Sequence, residues 1–251
     1  MKVTLLRLDG LDAAMIAASC CVSPEMPTEP KPAGLLRAVR SGHLSILENI
    51  VATFAVEGIS RACSHQLVRH RLASYSMASQ RYVSMEDFDY VMPETIEEGE
   101  VSFTKVVRGE TVEASEDFAH EFREYMSYAQ SLYSDMVKAG IPEEDARYVL
   151  PNACCTNIVV TMNARELSHY LGLRRCRRTM REHMELADCM ASLVVSALME
   201  KLDVRAPRNE EERRNIMALV NLFQPQCVQL GRCPEERSCG RYASKTKEAS
   251  E

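Results

Sequence analysis

Between residues 156 and 166 the chain changes its hydrophobic period, and that change limits the fold more than any other stretch. Ile158, Val160 and Met162 alternate with Asn157, Val159 and Thr161, the two-residue period of a half-buried strand. Asn163-x-x-Glu166 follows in the form of a helix capping box. The pattern predicts a strand over 156–162 running into a long helix from Asn163 to about Met199. Such a corner aims free amides and a helix dipole at whatever lies beyond it, which favours an anion.

The rest of the chain reads as mostly helical. Residues 2 to 8 predict a strand, Leu11 to Ala18 a short helix, Pro24 to Pro32 a loop, and Ala33 to Ser41 a helix stopped by Gly42. Ser45-x-x-Glu48 has the capping-box form and predicts another helix start. Val51 to Val56 reads as a strand and Ser60 to His70 as a helix, with Arg69 to Arg71 closing it where the dipole favours cations. From Val112 to Ala139, residues Phe118, Phe122, Tyr125, Ala129, Leu132 and Met136 recur at alternating intervals of four and three, a helical seam ended by Gly140 and Pro142. That seam predicts packed core against a helix of the same chain, with a subunit contact as the alternative. There is no repeated βαβ period, Gly-rich dinucleotide fingerprint or P-loop. The expected class is α+β, a single domain over 1–240 with long helices on a small mixed or antiparallel sheet. Residues 241–251, rich in Lys, Ser and Glu, are expected to be an unstructured tail.

Charge and cysteine usage remove several function classes. A formal net charge of −6 argues against a protein that coats nucleic acid. No apolar run spans a bilayer, and Met1 to Arg7 is too short and too soon interrupted for a signal peptide, so a cytoplasmic protein is expected. Ten cysteines, including the neighbours Cys20-Cys21 and Cys154-Cys155, read as reduced thiols. Cys227, Cys233 and Cys239 lack the two-residue gaps of zinc ribbons, and no metal is expected.

The chemistry concentrates in Arg69-His70-Arg71-Leu72-Ala73-Ser74-Tyr75-Ser76-Met77-Ala78-Ser79-Gln80-Arg81, where three arginines, a histidine and three serines sit among few apolar residues. Arg offers a planar fork for phosphate, His donates or accepts near neutral pH, and Ser fills remaining oxygen valences. Phosphate-bearing ligands are the expectation.

The order of these residues resembles the signature of the flavin-dependent thymidylate synthases: an Arg-His-Arg triplet, seven residues, then Ser79, with Ser74 and Arg81 in place. Gly42 to Glu48 and Gly58 to Gln66 resemble the lead-in, and Asp145 to Pro151 and Thr161 to Leu167 the second block. The resemblance implies that family's helix-and-sheet fold, FAD as cofactor, NADPH as reductant, methylenetetrahydrofolate as carbon donor and dUMP as acceptor. It also implies a homotetramer with sites shared between subunits. For FAD it implies Ser45, Arg69, His70, Arg71, Asn163, Arg165 and His169; side-chain capping competes with ligand contact at Ser45 and Asn163. For dUMP it implies Gln66, Arg69, Ser79, Gln80, Arg81, Arg147 and Arg174, with a local salt bridge as the alternative for Arg147. Arg174 matches the arginine that favours ionised uracil and so a more nucleophilic C5, the catalytic role. Ser79 has no identifiable base and is assigned to binding.

Two departures stand out. Many relatives carry Asn-Glu where this chain has Ser76-Met77, and many follow Arg174 with an Ala-Gln-Trp-Glu-Ile run where this chain has no Trp. On a continuous helix Arg174, Arg177, Arg178 and Arg181 share one face, for a folate tail or NADPH or, alternatively, as a solvated face paired with Glu182 and Glu185. The rival readings are a nucleic-acid-binding module that uses the two arginine patches, and a non-catalytic flavin- or nucleotide-binding relative.

Overall fold

The chain leaves its first strand at Gly10, where φ is +83° and an added Cβ would lie 1.9 Å from the Asn49 carbonyl oxygen. Only glycine fits that turn. The structure is a computed structural model that describes residues 1–242; residues 243–251, most of the tail expected to be unstructured, lie outside the described residues. In chain order the first half forms β1 (Lys2–Asp9), α1 (Leu11–Cys20), α2 (Pro32–Arg40), a 3-10 turn (Leu44–Asn49), β2 (Val51–Ser60), α3 (Arg61–Leu67), β3 (Ala73–Met77), α4 (Glu94–Glu97), β4 (Glu100–Val107) and β5 (Glu110–Asp117). The second half forms α5 (Phe118–Lys138), α6 (Glu143–Ala146), a 3-10 turn (Arg147–Val149), β6 (Cys155–Asn163), α7 (Ala164–Arg174), α8 (Arg181–Lys201), α9 (Glu210–Asn221) and α10 (Gln226–Leu230). The expected α+β class is the one found. Among the described residues no helix is long and apolar enough to cross a membrane.

Contacts divide the chain into two compact units. Within the described residues the first comprises 1–57, 66–76 and 158–242, and the second 58–65 and 77–157. The larger sheet, of order β1-β2-β6-β3, lies mostly in the first unit. β1 and β2 pair antiparallel, with Val3 opposite Val56 and Leu8 opposite Ala52. Alternation buries Ala52, Phe54 and Val56 on β2 and Ile158, Val160 and Met162 on β6, the latter row being the one the sequence predicts. Helical spacing on α8 buries Leu186, Met190, Val194 and Leu198 in the same unit. Each such side chain contributes roughly 1.5–3 kcal/mol on burial.

The second unit has a smaller core of Phe88, Met126, Ala129 and Cys154, with Tyr90, Phe122 and Leu150 packed against it. Here the helix expected from Val112 starts only at Phe118, because Asp117 Oδ1 accepts from the amides of Ala119 and His120 at 3.0 and 3.1 Å. The preceding residues are β5, paired with β4 through a two-residue turn at Arg108 and Gly109, both at positive φ. The buried face of α5 is Ala119, Met126, Ala129 and Tyr133, whereas Tyr125 of the expected seam is 55% exposed.

The other large correction falls on the helix expected to run from Asn163 to Met199. It breaks after Arg174 and resumes at Arg181. Thr179 Oγ1 donates to the nearby Leu173 carbonyl at 3.3 Å, and Arg175 Nη1 donates to the distant Phe223 carbonyl at 2.6 Å, so a local loop bond and a tertiary one replace helix continuation here. Arg174, Arg177, Arg178 and Arg181 therefore do not share a helical face. Arg181 pairs with Glu185 at 3.0 Å, and Arg178 donates to the Arg237 carbonyl at 2.7 Å.

Candidate active site

α3 ends at Leu67, short of the predicted His70, and Tyr75 supplies the physical reason. Its hydroxyl lies 2.9 Å from both the Leu67 and His70 carbonyl oxygens, capping groups that a longer helix would give to its own amides. Burial, and then the Glu166 charge, raise the Tyr75 hydroxyl to about 12, so it stays a donor. Arg69, His70 and Arg71 thus occupy the turn between α3 and β3. Arg69 and Arg71 are exposed and have no ion pair among the described residues.

His70 points inward instead and is 7% exposed. Its Nε2 accepts from Arg174 Nε at 3.0 Å, and its Nδ1 faces Glu166 Oε1 at 3.6 Å. Burial, Arg174 and His169, in that order, push the imidazole down to about 4, so it is neutral at pH 7. A neutral ring that accepts at Nε2 carries its proton on Nδ1, towards the Glu166 carboxylate. Glu166 is 8% exposed, and burial raises its carboxyl above the ordinary value while His169 lowers it.

Arg174 occupies the last turn of α7, and its Nη1 donates to Gln66 Oε1 at 3.3 Å. Its Nη2 has no hydrogen-bond partner among the described residues. Hydrogen bonds to a charged group contribute roughly 1.5–3 kcal/mol, enough to hold this guanidinium in one orientation. Behind it, the Tyr170 ring meets His70 edge-on at 4.8 Å, and the Tyr170 hydroxyl lies 3.2 Å from His183 Nε2. His183 is wholly buried, its Nδ1 has no hydrogen-bond partner among the described residues, and burial, then Arg174 and His70, push it down to about 3.

The α7 corner is half as the capping boxes predict. Asn163 Oδ1 accepts from the Glu166 amide at 2.9 Å, but the Glu166 carboxylate turns to His70. At the other box a short 3-10 helix forms in place of an α-helix: Ser45 lies exposed inside it and is not its cap, and Glu48 pairs with Arg165. His169 is exposed, 6.3 Å from the His70 ring.

In the second unit Ser79 and Gln80 lie in the loop after β3, and the Arg81 amide donates to Ser79 Oγ at 3.3 Å. Arg81 grips Glu144 Oε2 through Nε at 3.0 Å and Nη2 at 2.8 Å. Arg147, for which the sequence allows a local salt bridge, donates to the Glu144 carbonyl at 3.1 Å and caps its own turn. Arg61 Nη1 donates to Met77 Sδ at 3.4 Å, so a thioether stands where the resemblance expects a carboxylate. Burial, and then the nearby Arg147 charge, lower the Arg61 pKa.

Glu166, Tyr170, His183, Glu144 and Arg61 are absent from the sequence-derived set. Only Glu166 had a local signal, as the third helical position of a capping box. Among the described residues no three of His, Cys, Asp or Glu are placed to hold a metal, and all ten cysteines are free thiols.

An α+β fold that hangs one guanidinium on a neutral imidazole, beside exposed arginines, defines a protein suited to anionic ligands. Residues 7–198 match the family model described as thymidylate synthase complementing protein. The flavin-dependent thymidylate synthase of Thermococcus kodakarensis is 44% identical over 80% of this chain and 71% of its own length. That of Clostridium tetani is 38% identical over 98% of this chain and 96% of its own. A solved UMP/dUMP methylase from Streptomyces cacaoi, bound with 5-Br dUMP, superposes with a TM-score of 0.60 at 26% identity, covering 78% of this chain and 90% of that one. The chain belongs to the flavin-dependent thymidylate synthase family and is an enzyme of that type.

Proposed function

We propose that this enzyme converts dUMP to dTMP, taking the one-carbon unit from methylenetetrahydrofolate and the hydride from reduced FAD, which NADPH re-reduces. The observation that supports it best is Arg174: pinned through Nε and Nη1 to His70 and Gln66, it keeps Nη2 for a ligand. Beside the uracil, this fixed cation favours the ionised ring and raises electron density at C5, on the scale of an oxyanion-hole donor, about 3–4 kcal/mol. Gln66 and Arg69 orient the base and nucleotide, and Ser79, Gln80, Arg81 and Arg147 serve as its further contacts. Arg81 meets the phosphate by exchanging its exposed carboxylate partner Glu144 for a more highly charged one.

The residues assigned to FAD fit that group by their chemistry. Arg69, Arg71 and Arg165 are exposed cations, a donor set for a diphosphate, while at the α7 N-terminus the Ala164 and Glu166 amides are already given to the Ile50 carbonyl and Asn163 Oδ1. Ser45, His70 and His169 complete the assignment. Bound there, the flavin supplies the hydride that reduces the transferred carbon to methyl. The catalytic domain spans residues 1–240 and assembles as a homotetramer with shared sites.

The test is dTMP formation by the purified chain, anaerobically, with dUMP, methylenetetrahydrofolate, NADPH and FAD, beside a mixture lacking dUMP. Flavin-dependent product is expected. Folded, flavin-loaded protein that yields none would overturn the proposal.

A further inference from the structure

Four cysteines that this chemistry does not use gather in one place. Cys176, in the break between α7 and α8, and Cys227, Cys233 and Cys239, from α10 and the segment after it, all line one cavity of about 30 Å3 in the first unit. Cys176 and Cys239 lie near enough across this cavity for the Cys239 thiol to help raise the Cys176 pKa. Both are half-buried and within reach of a small reagent, whereas Cys227 and Cys233 are buried.

We propose that Cys176 and Cys239 form a redox-active dithiol, a modification site that closes to a disulfide by exchange with a low-molecular-weight disulfide. The surroundings distinguish the two sulfurs. The Arg241 amide most of all, and then the Arg241 charge and the Arg177 amide, lower the Cys239 pKa. Burial most of all, with the neighbouring Cys239 and Cys227 thiols, raises the Cys176 pKa. Cys239 is therefore the attacking thiolate and Cys176 the resolving thiol.

In the first step Cys239 Sγ attacks one sulfur of the small disulfide, forming a mixed disulfide and expelling one small thiolate. Cys176 then gives its proton to solvent, attacks Cys239 Sγ and expels the second. The protein loses two thiol protons and two electrons, and the reagent is reduced to two thiols. The new bond ties the turn just past Arg174 to the C-terminal segment.

The experiment uses the full chain, reduced, then exposed anaerobically to oxidised glutathione, alkylated, and mapped by peptide mass spectrometry without reduction. A Cys176–Cys239 linked peptide is expected, reversed by dithiothreitol. It should be absent in Cys176→Ser and Cys239→Ser and retained in Cys227→Ser and Cys233→Ser. Linkage of another pair, or only glutathione adducts, overturns the proposal. So does stoichiometric zinc that protects the four thiols, which would make the cluster a metal site.

Discussion

Arginine meets a carboxylate or its surrogate in both units, but with different consequences. In the first, Arg174 hangs on a buried neutral imidazole with a buried carboxylate behind it. In the second, Arg81 grips Glu144 with both side chains about half exposed. Burial decides the weight. A polar group withdrawn from water must keep its partner or bear the cost of desolvation, while an exposed pair can exchange its partner for water or a ligand. The first arrangement suits a fixed charge beside reacting atoms, and the second a contact that yields to a phosphate.

The largest expected effect separates the two arginines. Arg174→Ala should lower dTMP turnover about 10²–10³-fold while flavin and dUMP still bind, as for loss of a preorganised donor. Arg81→Ala should mainly raise the KM for dUMP. Steady-state kinetics with flavin and nucleotide titrations check both, and an equal fall in kcat would erase the contrast.

Acid comes next. His70 and His183 are held at about 4 and about 3, below the ordinary 6.5, so the unfolded chain binds more protons in that window. Stability is complete above about pH 6.5 and falls as pH drops below it, by about 1.4 kcal/mol per unit for each ring. Urea midpoints should be lower at pH 5 than at pH 7, and the difference should shrink in His70→Gln. Coincident midpoints in the parent chain would refute the buried neutral pair.

Tyr170→Phe removes the hydroxyl beside His183 Nε2 and leaves a wholly buried ring whose Nδ1 already has no partner among the described residues. A loss of about 1–3 kcal/mol is expected in a denaturation titration. The smallest effect belongs to the exposed pair: Glu144→Gln should cost no more than about 1 kcal/mol, a difference that fades in high salt. A larger, salt-independent loss would show that the second unit relies on this pair structurally.

Much of the first unit was readable from short-range pattern. The β6 alternation, the Asn163 cap and the Gly42 stop follow from side-chain period and backbone chemistry within a few residues. The misses have distant causes. α3 stops early because Tyr75 captures two carbonyls, and the helix after Asn163 breaks where Arg175 reaches Phe223. The hairpin before α5 turns on Arg-Gly, a weaker signal than Asn-Gly, and nothing local marks the residues before Phe118 as strand. Most of the residue types in the candidate site were also visible, but not their states. Nothing near His70 in sequence says that it is neutral or which nitrogen carries the proton. Glu166 and Arg174, at the two ends of α7, decide that.

The sequence by itself determined the α+β class, the strand-to-helix corner and the family, because these rest on local period, capping chemistry and the order of residues along the chain. Only the tertiary structure decided that His70 turns inward while Arg69 and Arg71 stay exposed, that Arg174 hangs on His70, and that Cys176 and Cys239 line one cavity. Burial and charge act through space, between residues that sequence distance does not relate.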